Sequence, residues 1–397
     1  MTFAKFLESK RFRQLLVLLA AGGLTTMTGS VVTPVFPEIV RDLQLDRSWA
    51  GLLTSTHALT TALFTPVFGI LADRVGKRTV MLPALLCYAL FGVATIFMTT
   101  LPTLLLMRGL IGAASGAVAA ATIGLLGTMY EGDERSRILG FATSAMTTAA
   151  IIFPLLGGWV GRNHWQHAFY LYLLGIPLMA IAALVFQQEP RNADGGAGLS
   201  DTGGLLPVVC QRPVLMIYFF LAAAALVMQS TVAYAPIYLK EAIGADPALN
   251  GVVLGLRAAG AAVSSAVLAS RLARRLNNRR GAIAIGFCLM GLTIATIPSL
   301  TQIFVILPVA ALFGAGFGII TPNLYDLLAD QAPAELRASV LAIGTGFNSL
   351  GLFAAPLLLG PVWKHAGLTF VFYLAAAIAL VVSLMSLRRG QGVGARG

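Results

Sequence analysis

The sequence has little charge. Only 11% of its 397 residues are Asp, Glu, Lys or Arg, while 57% are hydrophobic; a soluble domain carries roughly a quarter charged residues. Too little polar surface remains to coat a particle of this size in water, so most of the outside must face lipid. Cysteine is also scarce. Cys87, Cys210 and Cys288 show no metal-ligand spacing, which argues against a zinc site and against a disulfide framework. Cys87 and Cys288 lie inside hydrophobic runs and read as small core residues. No metal motif, nucleophile elbow or phosphate-binding glycine loop is found, so the chain is not expected to be an enzyme, and neither a cofactor nor a metal is expected. A basic domain is missing too: the net charge of +11 sits in short runs between apolar stretches, which argues against a nucleic-acid partner. Met1 to Arg13 lacks a cleavage-site pattern and reads as a basic tail rather than a removable signal peptide.

What is present is a series of long apolar runs. A helix needs roughly 20 apolar residues to cross a bilayer, and twelve stretches qualify: 14–38, 47–72, 79–99, 102–126, 138–160, 167–187, 213–239, 248–270, 281–300, 302–326, 338–361 and 366–387. An even number returns both termini to one side. That side collects twenty of the 27 Lys and Arg, against five opposite, with Arg108 and Arg257 inside spans. Positive charge stays in the cytoplasm, so both termini are expected there, in a multi-pass protein of the plasma (inner) membrane.

The chain repeats itself at an offset near 200. Ser30, Asp46 and Gly51 fall on Ser230, Asp246 and Gly251, and Pro154-Leu-Leu-Gly parallels Pro356-Leu-Leu-Leu-Gly. Duplicated halves around a midplane site are a recurring transporter plan. The expected organisation is an all-α integral membrane fold of two pseudo-symmetric six-helix bundles, at 14–187 and 213–387. A flexible cytoplasmic linker at 188–212 joins them, and tails lie at 1–13 and 388–397.

Gly69-Ile-Leu-Ala-Asp73-Arg74-Val-Gly76-Lys77-Arg78 closes the second span. It resembles the G-x-x-x-D-R-x-G-R-R loop signature of the major facilitator superfamily, and with twelve spans in two halves the resemblance covers essentially the whole chain. It implies the major facilitator fold, alternating access, and a gating role for this loop. Asp73 sits at a helix C-terminus, where the macrodipole disfavours an anion, so its carboxylate wants an outside partner; in the family that partner lies in the other half. Gly69 is expected to let helices approach and Gly76 to permit the tight turn. The matching loop of the second half, Ser270 to Asn277, has lost the acid and the glycine.

Two further elements resemble the drug:proton antiporter branch of that family. Leu104 to Gly112 is similar to its L-x-x-x-R-x-x-x-G element, which brings Arg108 forward for proton transfer or anion binding, or else as a structural arginine capping carbonyls. Gly140, Pro154 and Gly157 fall at the spacing of its antiporter signature, with Ala149 and Phe153 in place of two glycines; they are candidates for a helix kink or for packing alone.

Ionisable groups inside spans are expensive and are functional candidates by default. His57 and Arg257 occupy repeat-equivalent places, in the halves of spans 2 and 8 away from the termini. His57 is a candidate proton carrier or ligand, or a packing histidine; Arg257 is a candidate substrate or gating residue. The acid that related exporters carry in their first helix is replaced by Ser30. Glu38 reads as interfacial, and Asp326 either pairs with Arg274 or Arg275 or titrates. Hydroxyls, amides, methionines and aromatics on the presumed cavity helices suit a medium-sized organic molecule: Thr26, Thr33, Met146, Thr147, Gln229, Tyr234, Asn323, Tyr325 and Asn348.

These readings lead to a secondary active exporter of small organic molecules, a monomer in the lipid bilayer driven by the proton gradient. The alternatives are a uniporter or importer of an organic anion and, from another class, a non-transporting ligand sensor or assembly protein on the same fold.

Overall fold

In lipid every backbone N–H and C=O must find a partner within its own segment, which leaves helices as the solution for single apolar runs. The computed structural model places twelve such helices: α1 (Arg11–Asp42), α2 (Leu52–Val75), α3 (Lys77–Phe97), α4 (Leu101–Met129), α5 (Arg137–Val160), α6 (Trp165–Val185), α7 (Arg212–Ile243), α8 (Pro247–Arg275), α9 (Arg279–Ser299), α10 (Ile303–Asp330), α11 (Arg337–Ala366) and α12 (Leu368–Leu387). The structure describes residues 10–186, 205–333 and 336–387, with the backbone alone at positions 133 and 136. Among these there is no strand. Residues 1–9 and 388–397 of the expected tails, and 188–204 of the expected linker, lie outside the described residues. The rest of the linker holds a short helix, Leu205–Val209, where flexible chain was expected.

Local chemistry sets several ends. In α1, Pro34 and Pro37 interrupt the helical ladder, and Thr33–Val35 tightens into a 3-10 turn. Asp46 accepts from the backbone N–H of Ser48 at 2.8 Å, and Asp246 does the same for Leu249 at 2.8 Å. The repeated aspartate is thus a turn-forming residue ahead of an even-numbered helix in both halves. The Asp46 turn delays α2 to Leu52 instead of position 47, so His57 stands in its second turn rather than its third. Gly76, at φ +98°, makes the turn into α3, a backbone shape that a side chain resists.

The chain forms two compact units, residues 1–200 with 239–255, and residues 201–238 with 256–397. In the first, α4 lies directly on α2. A Cβ at Gly112 would fall 2.5 Å from the His57 carbonyl, and one at Gly116 would fall 2.9 Å from that of Thr61. In the second, α10 meets α8 in the same register: a Cβ at Gly314 would fall 1.9 Å from the Arg257 carbonyl, and one at Gly318 would fall 2.2 Å from that of Ala261. Backbones this close need small residues, the usual way membrane helices gain contact where no hydrophobic drive exists between them. The repeat at offset 200 therefore survives as matching helix crossings inside each unit. Gly69 is not such a contact, because a Cβ there would meet only the Ala120 methyl at 4.0 Å. Cys87 and Cys288 are partly buried rather than core, and Cys210 is exposed.

Candidate functional site

The α2–α4 crossing carries Arg108 into the interior of the first unit, where it is fully buried. Its Nε donates to the Leu53 carbonyl (2.9 Å), and Nη1 donates to the Thr28 carbonyl (2.7 Å) and the Tyr172 hydroxyl (3.0 Å). Nη2 lies 3.0 Å from His57 Nδ1. A guanidinium has no acceptor, so His57 receives this bond with its lone pair, and its own proton sits on Nε2. The ring edge rests against α1, where a Cβ at Gly29 would fall 2.7 Å from Nε2. Around this core Tyr172 also donates to the Thr28 carbonyl (3.0 Å), and Tyr88 donates to the Leu24 carbonyl (2.7 Å). One arginine thus ties α1, α2, α4 and α6 together, using four of its five N–H groups. None of its partners is a carboxylate. Thr28, Tyr88 and Tyr172 had no motif to flag them.

The second unit answers with a different cation in the corresponding place. Arg257 stands on α8 where His57 stands on α2, Met228 stands on α7 where Thr28 stands on α1, and Ala310 stands on α10 two residues off the register of Arg108. Arg257 Nη1 contacts Met228 Sδ at 2.8 Å, and Nε is buried with no partner. A thioether is a weak acceptor. Where Arg108 is saturated by carbonyls and an imidazole, Arg257 is left short of bonds.

The remaining candidates divide. Asp73 has Lys77 of its own loop at 4.0 Å, and the Lys77 stem runs over Gly124, so that a Cβ there would fall 2.8 Å from it. Arg78 donates to the Ala183 carbonyl at 3.0 Å, and Arg74 is exposed. Asp326 lies 3.8 Å from Arg279, not beside Arg274 or Arg275, and the same guanidinium also bonds Asp330: the first turn of α9 brings Arg279 to the end of α10. Gly157 lies against α1, where a Cβ would fall 2.5 Å from the Val31 carbonyl, whereas Gly140 meets nothing within 4 Å; Pro154 lies within α5. Thr33 and Thr147 bond back to the carbonyls of Gly29 and Thr143 on their own helices. Thr26 accepts from Ser30 through its carbonyl, and Met146 is exposed beside Gly22. Asn323 is buried and bonds the carbonyls of Ala269 and Ile319, and Tyr325 reaches Thr345 at 3.3 Å. Gln229 and Tyr234 are buried, the Tyr234 hydroxyl without a partner, and Asn348 is partly buried.

At the end of α1 away from Lys10, Glu38 is buried and bonds Lys240. Its signal in the sequence was an acid set between Val-Phe-Pro and Ile-Val. Nearby, Arg162 pairs with Asp246 at 2.8 Å, and Asn250 donates to the Pro34 carbonyl at 3.3 Å. Helix α5 meets the stretch 247–255 backbone to backbone: a Cβ at Gly158 would fall 2.2 Å from the Pro247 carbonyl, and one at Gly251 would fall 2.5 Å from that of Pro154.

Known proteins share this plan. Tetracycline resistance protein, class B, of Escherichia coli is 23% identical over 373 residues, covering 90% of this chain and 89% of its own. The class G protein of Vibrio anguillarum is 28% identical, covering 86% and 88%. The multi-drug resistance efflux pump PmrA of Streptococcus pneumoniae serotype 4 is 25% identical, covering 92% and 94%. Among solved structures, a bacterial homologue of the human lysosomal transporter Spinster superposes with a TM-score of 0.78 at 15% identity, covering 95% and 96%. A D-xylose–proton symporter gives 0.74 at 15%, covering 96% and 98%; at such identities the likeness is one of fold. The family model for the Major Facilitator Superfamily matches residues 18–356 and 225–393. With twelve apolar helices and matching crossings in its two halves, this multi-pass membrane chain belongs to the Major Facilitator Superfamily.

Proposed function

We propose that the protein exports small organic molecules by alternating access, in exchange for protons, with both termini in the cytoplasm. The observation that carries this reading is the end of the first unit away from the N-terminus, which is closed by separable parts. Two ion pairs, Lys240–Glu38 and Arg162–Asp246, one amide bond and a glycine seam hold α1 and α5 against residues 239–255. The exposed Arg162–Asp246 pair contributes only about 0–1 kcal/mol, and a glycine seam parts without pulling side chains out of holes. Such a closure suits a gate better than a permanent core. Drug efflux by the named relatives favours export and an organic cargo. The Asp73–Lys77 loop is the corresponding device at the cytoplasmic end.

A second reading, import or uniport of an organic anion, is favoured by Arg257, whose unfilled bonding capacity fits a carboxylate. Proteoliposomes holding the purified chain separate the two. Under an imposed pH gradient, tetracycline or ethidium is expected to accumulate against its own gradient. Equilibration that ignores the pH gradient would replace exchange by uniport.

A further inference from the structure

Helices α5 and α6 meet at the end away from the N-terminus and then part. A Cβ at Gly161, just after α5, would fall 3.3 Å from the Ala168 methyl of α6, whereas Gly175–Val185 of α6 hardly touches α5. The wedge between them is an apolar groove of about 580 Å³, wholly within the first unit. Its floor is Leu24 of α1, Ala149 of α5 and Leu178 of α6, all buried, and its rims are Ile152, Leu174 and Ile181, each 44–49% exposed. Thr148 brings the one polar side chain of the lining, and its hydroxyl is taken by the Ser144 carbonyl at 2.9 Å. The groove therefore has nothing to offer a hydrogen-bonding ligand.

Toward the N-terminal side the groove runs out between two arginines. Arg13, Leu16, Ala20 and Leu24 share one face of α1, and Arg137, Phe141, Ala145 and Ile152 share one face of α5. Both arginines are exposed. Arg13 has no bonding partner among the described residues, and Arg137 lies 5.7 Å from the centre of the Phe141 ring. Glu134, a turn before Arg137, is balanced by Arg11, since both charges act on the Tyr130 hydroxyl. From Arg13 to Leu24 the helix rises about 16 Å, the depth of one leaflet in a hydrocarbon layer of roughly 30 Å. Gln14 ties α1 to the end of α6 at the same level, donating to the Val185 carbonyl at 3.4 Å.

We propose that this groove is a site for an anionic phospholipid of the leaflet on the N-terminal side, one acyl chain lying along α1 and the phosphate held between Arg13 and Arg137. Three properties select that occupant: the lining is apolar, its length is that of one leaflet, and its charge stands at headgroup level. Basic pockets between membrane helices recognise anionic headgroups in this way. A zwitterionic lipid would bring an ammonium to the same two cations, and a polar cargo would leave its own donors unpaired in the groove. The bound chain fills the wedge that α5 and α6 leave open and supplies the contacts that their lining lacks. Binding the folded unit alone, it stabilises that unit by mass action.

The test uses the full chain, purified in an uncharged detergent and titrated with dioleoyl phosphatidylglycerol or dioleoyl phosphatidylcholine while the melting temperature is followed. Phosphatidylglycerol is expected to raise it saturably, and phosphatidylcholine to raise it far less at the same concentration. Arg13→Gln and Arg137→Gln are each expected to weaken phosphatidylglycerol binding about five-fold. Arg280→Gln, at an exposed arginine of the second unit, is expected to change nothing. Ala20→Trp, at an exposed lining position, fills the groove and is expected to abolish the rise. Equal rises from the two lipids, or an undiminished rise in Ala20→Trp, overturn the proposal. A second readout needs no variant: phosphatidylglycerol with a diazirine in mid-chain, photolysed in vesicles of the wild type, is expected to leave adducts on residues 145–153 and 174–181. Adducts spread evenly over the twelve helices mark ordinary boundary lipid and overturn the proposal. So do adducts that tetracycline displaces, which give the groove to cargo, and a dimer that Ala20→Trp dissociates, which gives it to a second copy. Neither readout involves transport, so their failure leaves the export reading untouched.

Discussion

Arg108 Nη2 and His57 Nδ1 stand 3.0 Å apart in the interior of the first unit, with no carboxylate among the partners of that arginine. The imidazole therefore serves as an acceptor that helps a buried cation hold four helices. An amide oxygen can take the same bond. His57→Gln is expected to keep pH-driven uptake in proteoliposomes within a few-fold of the wild type, whereas His57→Lys places two cations together and abolishes it. Abolition by both would make imidazole titration itself essential.

Arg108 cannot be replaced by another cation. Lysine has three donors on a point charge where the site supplies acceptors in a planar fork. Each charge-assisted bond contributes about 1.5–3 kcal/mol. Arg108→Lys is expected to lower the melting temperature in detergent and to reduce the folded yield, and Arg108→Ala to do so more severely.

The reverse holds for Arg257, which bears a charge and too few bonds. Arg257→Met removes a partly buried cation whose Nε has no partner, so it is expected to stabilise the second unit, by on the order of 1 kcal/mol. The same change is expected to weaken handling of carboxylate cargo. Comparing ciprofloxacin with its methyl ester in a transport assay checks this: the variant should lose discrimination between the two. A melting temperature that falls would count against the account of this residue.

At the α2–α3 loop, Asp73 and Lys77 are 4.0 Å apart, and the carboxylate side chain is 44% exposed. Such a pair adds little stability. Asp73→Asn is expected to leave the melting temperature nearly unchanged while slowing transport. Gly76→Ala, at φ +98°, is expected to cost about 1–3 kcal/mol, and the two together separate a gating effect from a folding one.

The twelve helices were legible because lipid leaves apolar runs of this length only one backbone solution, and the repeat was legible because Asp46 and Asp246 each hold a backbone N–H ahead of an even-numbered helix. The site was legible in pieces. Arg108 and His57 each drew notice as ionisable groups inside spans, but their meeting depends on Gly112 letting α4 sit on α2, which sequence spacing does not encode. The first span was expected to end on Glu38, while the helix runs on to Asp42. The seventh span was expected to stop at position 239, while α7 reaches Ile243 and so includes Lys240. Both boundary differences have one cause: apolar length marks the hydrocarbon layer, and helices overrun it.

Helix α8 changes its winding at Ser264–Leu268, where five residues take the wider π form. One surplus residue in an α-helix shifts everything beyond it by about 100° around the axis. The wide turn takes up that rotation, so Arg271, Arg274 and Arg275 keep the azimuth that a helix one residue shorter would give them. Trimming a single residue between Ser264 and Leu268 would act like taking the slack link out of a chain: the turn would tighten to regular α winding, with the basic end still facing as it does and the upstream half still seated on α10.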